Sequence, residues 1–254
     1  MGRIIAVVNQ KGGVGKTTTA VNLTAALSER GLKVLLCDFD PQANATSGLG
    51  IEKRTIKKSV YDVIVNDVPA EEAILATPFG DVLPSSADLA GAGVELITFP
   101  DSNFRLRNAL HRISYLYDVI LIDCPPSLEM LTLNGLAAAD GILIPVQCEY
   151  YALEGLSDLM STLRIVKKRI NPALEIFGVA LTMFDGRTNF STQVAQEVRR
   201  HFPGKVFGTV IPRNIRLAEA PSHGIPVTAY DKSSRGALGY RELAAEVHAK
   251  LAER

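Results

Sequence analysis

Six short apolar runs, Ile4–Val8, Val34–Cys37, Val119–Ile122, Ile142–Val146, Ile176–Leu181 and Val206–Ile211, are spread along the 254 residues. Each is rich in β-branched side chains and nearly unbroken in hydrophobicity. Alternation would mark a strand with one wet face, whereas an unbroken run marks a strand buried on both, as in a parallel sheet. Between them, apolar residues recur at helical spacing over Thr17–Arg30, Phe104–Leu116, Glu154–Ile170, Thr192–Phe202 and Arg235–Ala252. This alternation predicts an α/β fold, a doubly wound and mostly parallel sheet. No repeat, low-complexity tract or Pro/Gly linker divides the chain, so 1–254 is expected to form a single domain. The Pro- and Gly-rich stretch 41–100 is the least regular, and short helices with a hairpin-like insertion are expected there.

With 47% hydrophobic residues, the chain can bury a large core without metals or disulfides. Cys37, Cys124 and Cys148 form no CxxC pair and are read as buried thiols of a reducing compartment. No apolar run approaches the ~18 residues of a membrane span, and Met1 runs almost directly into a strand, leaving no room for a signal peptide. Net charge is zero but unevenly spread. Residues 1–162 hold 12 basic and 19 acidic side chains, a net −7; residues 163–254 hold 15 and 8, a net +7. Either one face is basic or the two halves interleave and average out.

Directly after the first run comes Gln10-Lys11-Gly12-Gly13-Val14-Gly15-Lys16-Thr17-Thr18, and then a helix. Glycines let successive backbone N–H groups turn inward around a polyphosphate, and the helix adds its positive N-terminal end. Gly12 through Thr18 are therefore candidate nucleotide-binding residues. Lys16 supplies charge to the β- and γ-phosphates, and the Thr17 hydroxyl is a candidate Mg²⁺ ligand. Asp38 and Asp40 end the second run two residues apart, so both leave the same face. Val119–Ile122 followed by Asp123 reads as a strand whose carboxylate serves the metal. No glutamate follows Asp123, so hydrolysis is expected to be slow without a partner.

The strict phosphate-loop pattern fails at Gln10, where a glycine belongs, and an extra lysine, Lys11, precedes the Gly-Gly pair. This departure resembles the deviant Walker A motif of P-loop NTPases of the ParA/MinD/nitrogenase-iron-protein group. Asp38-Phe39-Asp40-Pro41-Gln42-Ala43-Asn44, Asp123-Cys124-Pro125-Pro126-Ser127-Leu128, Tyr150-Tyr151-Ala152-Leu153-Glu154-Gly155 and Ile211-Pro212-Arg213-Asn214 are similar to ParA, of the chromosomal Soj-type branch. The cysteines do not match the cluster ligands of nitrogenase-type proteins. The last helix reads as core-packing, where MinD-like chains carry a membrane anchor.

The resemblance implies several roles. Lys11 would reach the partner's nucleotide across a dimer interface, Asp40 would orient the attacking water, and Asp38 would stand nearer the metal shell. Pro212 and Asn214 would line the adenine pocket. Arg187 and Arg216 would contact DNA, although Asp185 and Glu219 are available to pair with them. The implied activity is a cytoplasmic, nucleoid-associated partitioning ATPase using ATP and Mg²⁺. Its ATP-bound homodimer would bind double-stranded DNA non-specifically and be released by a ParB-like centromere-binding protein, with no membrane involved. The rival readings are a MinD-like membrane-associated positioning ATPase and a metabolic ligase built on the same loop.

Overall fold

In the computed structural model, which describes residues 2–127, 129–149 and 152–253, all six expected strands form. Leu128, Tyr150 and Tyr151, in two of the blocks quoted above, lie outside the described residues, as do the side chains of residues 152–155. The first half runs β1 (Arg3–Val7), α1 (Lys16–Ser28), β2 (Val34–Asp38), α2 (Asn44–Gly48), α3 (Val60–Val65), α4 (Ala70–Ala73), β3 (Leu75–Thr77) and β4 (Gly80–Leu83). It continues with α5 (Leu89–Leu96), α6 (Arg105–Ile113), β5 (Val119–Asp123), α7 (Met130–Ala138) and β6 (Gly141–Gln147). The remainder is α8 (Ala152–Arg169), β7 (Glu175–Phe184), α9 (Asn189–His201), β8 (Val206–Pro212), α10 (Ile215–Glu219), α11 (Val227–Tyr230) and α12 (Arg235–Ala252).

The strands form one sheet in the order β3-β4-β2-β5-β1-β6-β7-β8, parallel except where β3 meets β4. Strand β1 sits inside it, and the chain fills the sheet on one side of β1 before crossing to the other. Reversal of this kind opens a crevice at the carboxyl ends of the central strands.

Burial follows the period-2 geometry of a strand. Ile4 and Ala6, Leu35 and Cys37, and Ile120 and Ile122 face one layer, packed on α3, α6, α7, α8 and α9. Ile5 and Val7, Val34 and Leu36, and Val119 and Leu121 face the other, packed on α1 and α12. Tyr240, Leu243 and Val247 of α12 lie in this second core, so the apolar side of the last helix is consumed in packing.

The hairpin expected in 41–100 is present, but it is not an insertion. Strand β4 pairs in parallel with β2 and extends the sheet. Helix α7 is not among the expected helices. Leu131, Leu136, Ala137 and Ala138 are all buried and Gly135 lies against the Cys124 sulfur, so no polar face gives it a period.

Strand β7 carries a bulge, since Ile142 pairs with Ile176 but Leu143 pairs with Gly178. A Cβ at Gly178 would fall 2.3 Å from the Phe207 ring, so the bulge tolerates no side chain there. Gly178→Ala should lower the unfolding free energy by about 1–3 kcal/mol, the range for overpacking a core. Urea midpoints of variant and parent check this, and equal midpoints would contradict the packing described.

Candidate functional site

The chain leaves β1 and closes a loop before α1 begins at Lys16. Gly13 (φ +74°) and Gly15 (φ +90°) occupy the left-handed region, which glycine enters at little cost. The Gly15 carbonyl accepts the Thr19 N–H at 2.8 Å and starts the helix. Lys16 is buried, and its Nζ donates to the Lys11 carbonyl at 3.1 Å, so the ammonium spans the loop. Burial pulls its pKa down, opposed by the nearby Asp123 and Asp40. Two side chains outside the motif hold the loop. Asn9 donates to the Pro145 carbonyl on β6 and accepts the Lys11 N–H, while Thr182 of β7 donates to the Val14 carbonyl at 2.8 Å. Neither was singled out from sequence, although Asn9 adjoins the motif.

The carboxylates arrive on neighbouring strands. Asp123 on β5 is in register with Val7 of β1 on one side and Asp38 of β2 on the other. Both carboxyls are fully buried, and they are used differently. Asp38 Oδ2 accepts from the Thr46 N–H (2.7 Å) and hydroxyl (2.6 Å), and Oδ1 from the Asp40 N–H (3.3 Å). Burial raises its pKa to about 6 despite these bonds. The residue expected nearer the metal shell therefore anchors α2. Asp123 is the reverse, with both oxygens buried and lacking any hydrogen bond of normal geometry among the described residues. Its pKa is pushed well up by burial and by Asp38, and the Thr17 hydroxyl and Lys16 counter this in part. A cation is the missing partner such a group fits.

Thr17 and Asp123 alone would make a sparse metal site, and the described residues hold no group of three or more His, Cys, Asp or Glu able to bind an ion. Sparse protein ligation suits Mg²⁺, which keeps waters and takes phosphate oxygens. Asp40 is half-buried at the edge of this cluster, with Oδ1 accepting the Gln42 N–H at 2.9 Å.

The other expected residues lie around the crevice. Thr17 and Thr18 line a pocket of about 310 Å³ with Asn44, Ser47, Pro221 and Ile225. Pro212 lines a separate cleft of about 770 Å³ with Phe184, Arg187, Arg213, Arg235 and Leu238, and no residue of the phosphate loop lines it. Asn214 caps α10, its Oδ1 accepting the Arg216 N–H at 2.9 Å. Arg187 is paired twice with Asp185 (2.8 and 2.9 Å), which draws the Asp185 carboxyl down to about 2. Arg216 bonds Glu219 at 2.7 Å and Asp231 at 3.3 Å. Both arginines thus hold the partners the sequence offered, plus Asp231, while staying exposed.

A family model described as an AAA domain matches residues 2–176. The chain is 56% identical over 251 residues to the sporulation initiation inhibitor protein Soj of Bacillus subtilis, covering 98% of this chain and 99% of that protein. It is 51% identical over 249 residues to the chromosome partitioning protein ParA of Myxococcus xanthus, covering 97% and 88%. Among solved structures, cobyrinic acid a,c-diamide synthase from Mycobacterium smegmatis with bound ADP and magnesium superposes with a TM-score of 0.84 at 39% identity, covering 96% and 93%.

The orphaned Asp123 carboxyl generates a pH prediction. Its pKa is raised on folding, so its contribution to stability is present at low pH and lost as pH rises above the ordinary carboxyl range. Asp123→Asn removes that dependence while keeping a side chain of the same size at the end of β5. Compared by urea unfolding without nucleotide, the parent should lose stability relative to the variant between pH 5 and pH 8. A difference independent of pH would show that Asp123 is already compensated.

Proposed function

The chain belongs to the ParA/Soj family of chromosome-partitioning ATPases, and from that premise we propose that it is an ATP-driven switch that pairs two copies of itself. The observation that carries this reading is the open side of the loop. A Cβ on Gly12 would meet nothing within 4 Å, and the backbone at Gly12 does not require glycine. Nothing among the described residues asks for a bare backbone there, so the demand comes from what docks on it. The neighbouring Lys11 ammonium makes no ion pair or hydrogen bond among the described residues, which suits a charge offered to a second copy's nucleotide.

The chemistry is then divided among named groups. Gly12, Gly13, Val14, Gly15 and Thr18 present backbone N–H groups to the phosphates. Lys16 gives up the Lys11 carbonyl and takes the β- and γ-phosphate oxygens. Thr17 and Asp123 would hold Mg²⁺, whose charge would offset that of the phosphates. Asp40 orients the attacking water through the oxygen not engaged by Gln42. Pro212 and Asn214 receive the adenine. With no general base beside Asp123, turnover is slow until a ParB-like partner completes the site. The paired state lies on double-stranded DNA over the nucleoid through Arg187 and Arg216, and hydrolysis releases it.

Asp40→Ala should leave ATP affinity within about threefold while abolishing hydrolysis, because it removes a water contact and no phosphate contact. The ATP-bound pair should then persist on a sizing column, and a normal turnover rate would remove Asp40 from this role.

DNA retardation with ATP, ADP and no nucleotide tests the switch, with retention expected only with ATP. Each phosphate contact contributes about −0.9 to the slope of log K against log salt. Replacing Arg187 or Arg216 with alanine should flatten the slope of the pair by roughly 1.8, one contact per protomer, and equally for unrelated DNA sequences. Unchanged slopes with intact pairing would move the DNA surface away from these two arginines.

A further inference from the structure

Asn9 is 5% exposed and makes two bonds in opposite directions. Its Nδ2 donates to the Pro145 carbonyl in β6 at 2.8 Å, and its Oδ1 accepts the Lys11 N–H at 3.0 Å. The side chain therefore ties the Lys11 peptide to a strand of the central sheet. Among the described residues one other side chain holds the Lys11 backbone, the Lys16 ammonium on the Lys11 carbonyl at 3.1 Å. The second hold is temporary, because the Lys16 ammonium is the group that must meet phosphate when nucleotide binds. From then on Asn9 is, among the described residues, the remaining side-chain tether of Lys11 to the sheet. Thr182 anchors the loop at a different point, the Val14 carbonyl, nearer the phosphate cradle than Lys11.

We propose that Asn9 is a positioning residue for Lys11, holding the lysine backbone to β6 so that its ammonium is presented outward after Lys16 has turned to the nucleotide. This rests on the role given to Lys11 above. The two anchors predict different defects. Loss of the Asn9 bonds leaves the cradle from Gly12 to Thr18 in place and disturbs only the Lys11-dependent step. Loss of the Thr182 bond loosens the cradle itself.

The test is a double-mutant cycle on the full chain with Mg²⁺ and ATP. Asn9→Ala, Lys11→Ala, the double variant and Thr182→Val are compared for fluorescent-ATP affinity, kcat, and pairing with a non-hydrolysable analogue. Asn9→Ala should lower kcat about tenfold, the scale of one hydrogen bond, with nucleotide affinity within about threefold. The double variant should be no slower than Lys11→Ala, since a positioning residue has nothing left to position. Thr182→Val should instead weaken nucleotide affinity. If Asn9→Ala is too unstable to assay, Asn9→Ser, which keeps an acceptor for the Lys11 N–H, should show the same split with a smaller loss. Unaltered kcat in the Asn9 variants, equal loss in affinity and kcat, or multiplicative effects in the double variant would each overturn the proposal. Lys11→Ala with parental kcat and pairing would overturn the role of Lys11 itself, and an Asn9 defect in that case would have to arise elsewhere.

Discussion

A carboxylate fully buried between two neighbouring strands, with no hydrogen bond of normal geometry among the described residues, is the constraint around which this molecule is arranged. Asp123 reaches its place because β5 is covered on both faces and flanked by β1 and β2. The burial that packs Ile120, Leu121 and Ile122 also strips water from the residue that ends their strand. Leaving a buried ionised group unpaired is destabilising. The fold supplies only partial relief, through Lys16 and Thr17. The same two residues begin α1. Loop, helix and carboxylate thus form an arrangement that is electrostatically complete only when a cation and phosphates enter.

The strain at this point is contained by anchors that radiate outward. Asp38 holds Thr46, and Thr46 in turn accepts the Ser85 N–H at 3.1 Å, joining α2 to the end of β4. Gly48 packs against Val21 of α1, and Gly50 and Gly224 approach so closely that a Cβ on either would lie 3.2–3.3 Å from the other segment's backbone oxygens. Asn22 of α1 accepts the Val227 N–H at 2.7 Å. The helix that starts at the phosphate loop is therefore fastened both to the segment after Asp40 and to α11, which follows the segment carrying Asn214 and Arg216. Rigid mounting suits a site that, on the reading proposed above, offers the phosphates mostly backbone N–H groups, since their direction is all they contribute.

The parts of the sequence that were legible are those where one physical requirement dominates. Strands buried on both faces must be apolar throughout, so the inner strands β1, β2, β5, β6 and β7 could be found, and the edge strand β8 shares enough of that apolar character to be found with them. A loop around phosphate must be glycine-rich, so Gly12 to Lys16 could be placed between strand and helix. Legibility failed where two requirements overlap. Helix α7 is buried on every side and loses its period. Strand β4 contributes only Val82 and Leu83 to the core and looks like loop. Asp38 and Asp123 both end apolar runs and read alike, yet one is held by Thr46 and the other is relieved only in part, by Thr17 and Lys16. That difference depends on the left-handed turn at Ala43 (φ 51°), which brings Thr46 back over β2. Asn9 escaped notice for a related reason, because its partner Pro145 is distant in sequence and offers only a backbone carbonyl.

The arginines show the limit from the other direction. Arg187 and Arg216 lie in the half of the chain with net charge +7, yet both are matched locally by Asp185, Glu219 and Asp231. Exposed pairs of this kind add little stability, and salt screens them. A DNA phosphate can therefore replace the carboxylate as partner at small cost, but the exchange yields little at each site for the same reason. On the reading proposed above, a single protomer gains too few such exchanges to stay on DNA at physiological salt. Two protomers held rigidly together make the second set of exchanges intramolecular, which raises the effective concentration of each site without any new contact. Nucleotide-dependent pairing then controls DNA affinity with no need for the arginines themselves to move.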